Sequence, residues 1–139
     1  MIKPRTLARR LALQYCFVCD VNETWNLADW DEFLIASTDE NDDGLVASVA
    51  GFSRELVSRV IDNREEIDAR ISRSMHNWEI SRLAAVERNV LRLAVAEMSE
   101  GKLDKNIIFS EAVSIAKSFG SKDSGKFVNG VLDALAKDL

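Results

Sequence analysis

Proline occurs once in this chain, at Pro4, and glycine only six times in 139 residues. Sheet proteins need frequent turns, and turns draw heavily on these two residues, so a fold built from hairpins is excluded. Alternating apolar and polar residues are also scarce, and an all-α fold is expected. Histidine also occurs once, at His76. It has no identifiable partners for acid–base or nucleophilic work, and neither a G-x-S-x-G elbow nor a Walker-type G-x-x-x-x-G-K occurs, so no catalytic activity is expected. The two cysteines, Cys16 and Cys19, form a C-x-x-C pair. A structural zinc needs about four ligands and there is no second pair, so they read as ordinary buried or half-buried helix positions, and no metal or cofactor is expected. No apolar run reaches the length of a membrane span, and the N-terminus intersperses charges with spaced apolar residues. Neither a membrane anchor nor a signal peptide is expected, which makes the cytoplasm the default compartment.

What is present is enough material, at 15.6 kDa, for one domain with a real core or two small helical subdomains sharing one. The net charge of -5 hides an uneven distribution. Residues 1–19 carry Lys3, Arg5, Arg9 and Arg10 with no carboxylate, whereas residues 20–45 carry nine Asp or Glu and no Lys or Arg. A pI near 4.9 argues against indiscriminate nucleic-acid binding, while a local basic patch leaves a positioned site open.

Apolar periodicity predicts about seven helices. The first spans about Arg5 to Cys19, with Leu7, Leu11, Phe17 and Val18 inward, and a short second spans Leu27 to Ile35. An acidic loop, STDENDDG, covers 37–44. A third helix from Leu45 to Ile61 buries Val49, Phe52, Leu56, Val57 and Val60, and a fourth from Asn63 to Arg73 buries Ile67 and Ile71. Ser81 is placed to cap a fifth, whose stripe is Val86, Val90, Leu91, Ala94 and Met98 and which ends before Gly101. The sixth ends near Phe119 at Gly120. The seventh starts at Asp123 or Ser124 as cap, and buries Phe127, Val128, Val131, Leu132 and Leu135. The first four helices make an N-terminal subdomain of about residues 1–76, and the last three a C-terminal bundle of about 77–139.

Candidate binding residues follow from charge and exposed rings. Arg5 and Arg9 are i, i+4 neighbours, so both planar guanidinium groups could reach adjacent phosphates; the alternative is an exposed basic helix start with no partner. Lys117, Lys122 and Lys126 cluster at the junction of the last two helices with Asp123 and Ser124, and could position a phosphate backbone. Phe119 is either a ring for a base to stack on or a hydrophobic closure of its helix. Helix capping by itself accounts for Asp123.

Three segments in order carry a family resemblance: ARRLALQ (8–14), then Trp78, Arg82 and Leu83 followed by VERNVLRLAVAEM (86–98), and finally EAVSIAKSFG with DS and KFVNGVLD (111–133). They closely resemble the signatures of the bacterial transcription antitermination family NusB and span nearly all of the chain. The resemblance implies two helical subdomains packed tightly as one unit, and a factor that binds single-stranded boxA-type RNA together with the ribosomal protein NusE. That complex would act in rRNA transcription, within an elongation complex containing other Nus factors. It further implies RNA contact by the N-terminal basic residues and by Phe127, a role in antitermination for Asp123, and partner contact by Glu87. Phe17 stands where relatives commonly have a functional tyrosine. The arginine cluster is thinner than in many relatives, with Thr6 and Leu7 in its place, and Asp104 stands where they often have proline. Self-association of the free protein, seen in some relatives, stays open, as does a pure protein-interaction module. The same helical domain is found fused to a cofactor-binding domain in rRNA cytosine methyltransferases, but no G-x-G-x-x-G is present here.

Overall fold

A computed structural model describes residues 2–76 and 78–137. The fold is all-α: α1 (Pro4–Asn22), α2 (Trp30–Ser37), α3 (Leu45–Ser74), α4 (Ala85–Glu100), α5 (Lys105–Phe119) and α6 (Lys122–Lys137), with a single 3-10 turn at Ile80–Arg82 before α4. No strand occurs among the described residues. The only proline sits in the first turn of α1, where its missing N–H would have had no intrahelical partner.

The third and fourth expected helices run on as one 30-residue helix, α3, broken at Asn63 (φ -124°, ψ 19°). The Asn63 side-chain amide donates to the Arg59 carbonyl at 2.9 Å, competing with the backbone ladder at the point where periodicity placed a boundary. Ser81 does not cap α4. It lies inside the 3-10 turn, and α4 opens at Ala85 with no side-chain cap. Asp104 does cap, accepting a hydrogen bond from the Asn106 amide at 2.8 Å. The departure from proline thus supplies a helix start of a different kind. The boundary drawn between 76 and 77 abuts Asn77, which lies outside the described residues.

Helix α4 is the centre of the molecule, packed against α1, α3, α5 and α6. Residues Asn89 to Glu97 are all buried, as expected of a helix surrounded on every side. The main core takes residues from all six helices. A ring cluster seats α2, with Tyr15 edge-on to Trp30 (5.1 Å) and Phe33 (5.3 Å). Both cysteines are buried, and burial pushes the Cys16 thiol far up from its ordinary value, which leaves it neutral and unreactive.

The buried polar residues of α4, Asn89, Arg92 and Glu97, are all engaged. Arg92 makes a two-point contact with Asp68 on α3 (2.7 and 3.0 Å) and bonds Asn89. Asp20, at the end of α1, accepts from Arg88 Nε (2.5 Å) and Asn89 Nδ2 (2.9 Å). Burial raises the Asp20 pKa, but hydrogen bonds from Arg88 and Asn89 and the charges of Arg92 and Arg88 outweigh it, and the net shift is downward. A depressed carboxylate pKa stabilises the fold fully above its unfolded value of about 3.9, and the contribution is lost as pH falls through the folded value. Asp20→Asn is therefore expected to be less stable than the parent near neutral pH. The gap should narrow towards about pH 3, which urea denaturation at both pH values measures. A gap of constant size would remove the ionised carboxylate from the explanation.

Candidate RNA and partner interfaces

Basic and aromatic side chains from the two ends of the chain converge at the junction of α5 and α6. The half-buried Arg10 on α1 places its guanidinium carbon 5.9 Å from the centre of the Phe119 ring, a cation–π distance. Phe119 and Phe127 are 37% and 36% exposed. Lys117, Lys122, Asp123 and Lys126 are exposed as well. Phe127 is thus not the core residue its spacing suggested. The inward stripe of α6 is Ser124, Gly125, Val128, Val131, Leu132 and Leu135, and Phe127 stands at its edge.

The junction depends on two glycines and two serines. A Cβ on Gly120 would lie 2.6 Å from Ser124 Oγ and 2.9 Å from the Ala116 carbonyl, so only glycine fits this crossing. Ser121 precedes α6, and its hydroxyl accepts from the Ser124 amide while the Ser124 hydroxyl accepts from the Ser121 amide, each at 3.3 Å. This reciprocal pair is a capping box. Ser121 therefore holds the cap position expected of Asp123 or Ser124, and Ser124 is buried. A Cβ on Gly125 would lie 2.5 Å from Lys117 Cγ, which shows the Lys117 stem lying directly across the start of α6.

The N-terminal arm divides. Lys3 and Arg5 are exposed, and Arg5 stacks its guanidinium 3.8 Å over the Phe52 ring. Arg9 does not stand beside it in solvent. Its Nη2 and Nε bond both oxygens of Glu97 (2.6 and 2.8 Å), and its Nη1 bonds Glu111 (2.9 Å), which also accepts from the Thr6 hydroxyl (2.6 Å). The hydrogen bonds Arg9 donates to Glu97 raise the Arg9 pKa, against the opposing effect of burial. The expectation of two neighbouring solvent-facing arginines is corrected accordingly. One i, i+4 partner faces water, and the other faces α4 and α5, because two carboxylates wait there.

Phe17 and Val18, expected to point inward, are exposed together with Val21. The buried face of α1 follows Ala8, Leu11, Ala12, Tyr15, Cys16 and Cys19, and residues 17 and 18 fall off that stripe. The resulting apolar strip flanks Asp20, which accepts from Arg88; Glu87, which precedes Arg88 in the first turn of α4, is half-buried. The strip begins about two helical turns along α1 from Arg10, apolar where the junction is basic.

An all-helical body with a basic, ring-bearing face and a distinct apolar strip is a binding protein by construction. A model of the NusB family matches residues 6–137, and the chain belongs to that family. It is 40% identical to the transcription antitermination protein NusB of Geotalea uraniireducens, over 95% of this chain and 93% of that protein. It is 37% identical to the protein of that name from Desulforapulum autotrophicum, over 94% and 90%. Among solved structures, the antitermination factors NusB and NusE in complex with double-stranded RNA match at a TM-score of 0.84 and 30% identity, with both chains fully covered. The NusB of T. maritima matches at 0.82 and 33% identity, covering 99% of this chain and 94% of that one.

Proposed function

We propose that this protein is a non-enzymatic transcription antitermination factor that binds single-stranded boxA-type RNA together with a NusE-type ribosomal protein, in rRNA transcription. The observation that carries it is the meeting of Arg10 with Phe119 beside Lys117, Lys122 and Lys126. Exposed rings stack on unpaired bases, and the surrounding cations hold the phosphates without specifying sequence. The apolar strip of Phe17, Val18 and Val21, with Glu87, takes the ribosomal protein. The two helical subdomains, about 1–76 and 77–139, act as one unit across their shared core, in the cytoplasm. No helix of the described residues is long and apolar enough to cross a membrane.

The test is the affinity for a boxA-type RNA and a scrambled control, with and without the NusE-type partner, across a salt series. Selective binding that the partner strengthens, and that weakens as salt rises, is expected. Partner binding without discrimination between the two RNAs would leave a protein-interaction module and end the RNA assignment.

A further inference from the structure

The junction does not exhaust the basic surface. Between the N-terminal arm and the start of α5 lies an open cleft of about 450 Å³, with Lys3 and Arg5 on one side and Leu103, Asn106, Ile107 and Ser110 on the other. Leu103 and Ile107 are 39% and 50% exposed. Two aliphatic side chains opposite two cations suit a ligand that is flat and apolar on one part and anionic on another. The volume is within the range of about 300–1,000 Å³ of small-ligand sites.

Glu111 gives the cleft a reading group. Its Oε1 receives both the Thr6 hydroxyl and Arg9 Nη1, which fixes the carboxylate and offsets its charge. Its Oε2 takes no hydrogen bond among the described residues, and the side chain is 22% exposed. An ionised carboxylate only accepts hydrogen bonds. The exocyclic amino groups of adenine, cytosine and guanine are its natural partners, whereas the single ring N–H of uracil is flanked by two carbonyls that repel it.

We infer that this cleft is a subsite for one unpaired nucleotide, continuing the RNA path from the α5–α6 junction to the start of α5, in which Glu111 selects a base bearing an exocyclic amino group over uracil. The subsite rests on the RNA-binding function proposed above. Lys3 and Arg5 hold the flanking phosphate, Leu103 and Ile107 cover the base, and Oε2 of Glu111 meets its amino group.

The experiment uses the full chain bound to its NusE-type partner and fluorescein-labelled single-stranded RNAs. A boxA-type core is lengthened one nucleotide at a time at each end, with adenine, cytosine or uracil at each added position, and affinity is followed by anisotropy. At one added position, adenine or cytosine is expected to bind roughly five- to tenfold tighter than uracil, the worth of one good hydrogen bond. In Glu111→Gln the amide oxygen keeps Arg9 and Thr6 while the amide N–H₂ replaces Oε2, so the preference should invert towards uracil. Leu103→Ala with Ile107→Ala should abolish the gain from lengthening for every base and leave affinity for the core RNA unchanged. Should Glu111→Gln fail to fold, as thermal unfolding would reveal, the aliphatic pair decides by itself, because both residues are exposed. Indifference to the base at every added position, or a preference untouched by the variants, overturns the subsite while the RNA-binding function stands. Failure of the core RNA to bind would sink that function and the subsite with it.

Discussion

Replacing Arg9 with alanine is expected to destabilise the protein by about 3–5 kcal/mol, the usual consequence of removing one partner from a buried ion pair. For a domain of this size the thermal midpoint should fall by roughly 10–15 °C. Arg9 and Glu97 side chains are each only 7% exposed, so alanine leaves a carboxylate in the core with its partner gone. It also removes the Arg9–Glu111 bond, which leaves the Thr6 hydroxyl alone to hold Glu111 and tie α1 to α5. Lysine at the same position keeps the charge but cannot make the two-point contact with both oxygens of Glu97, and should recover only part of the loss. Thermal and urea unfolding of the two variants measures both effects. A loss under about 1 kcal/mol for alanine would class the pair with surface ion pairs.

The second large effect concerns RNA. Phe119→Ala with Phe127→Ala is expected to weaken RNA binding by roughly 30- to 20,000-fold, from about 1–3 kcal/mol per stacked base, with the salt dependence unchanged. Lys122→Ala with Lys126→Ala should do the reverse in kind, giving a moderate loss of affinity and a salt slope shallower by about two phosphate contacts. Comparing the slopes separates stacking from charge. Equal slopes in the two double variants would mean that these lysines touch no phosphate. Partner affinity through the α1 strip should stay at the parent value in both.

Much of the fold was legible because apolar spacing and end signals survive in isolation. Gly101 ends α4 in a left-handed conformation at φ 67°, and the break at Asn63 fell where two helices had been separated. The misplaced caps share one cause. Ser81, Asp123 and Ser124 are all good capping types, and sequence cannot say which of several neighbouring hydroxyls or carboxylates meets a free amide. The candidate site was legible in composition, and the lysines and Phe119 do gather at the junction. It was not legible in orientation. Arg5 and Arg9 differ only in what lies opposite them, and the carboxylates that claim Arg9 are 88 and 102 residues away in sequence. One signal was available in Asn89, Arg92 and Glu97. They interrupt an otherwise apolar run and occupy positions that a buried helix would leave to hydrocarbon unless distant partners existed.

Gly125 has neither charge nor ring, yet it bears on how tightly the lysine face can hold an anion. A free lysine carries about 2 kcal/mol of rotamer entropy, much of which is lost when a ligand fixes it. With its stem laid over Gly125, the Lys117 side chain gives up part of that freedom when the chain folds, before any ligand arrives. Its ammonium group is therefore offered at a smaller entropic cost than that of an unsupported lysine.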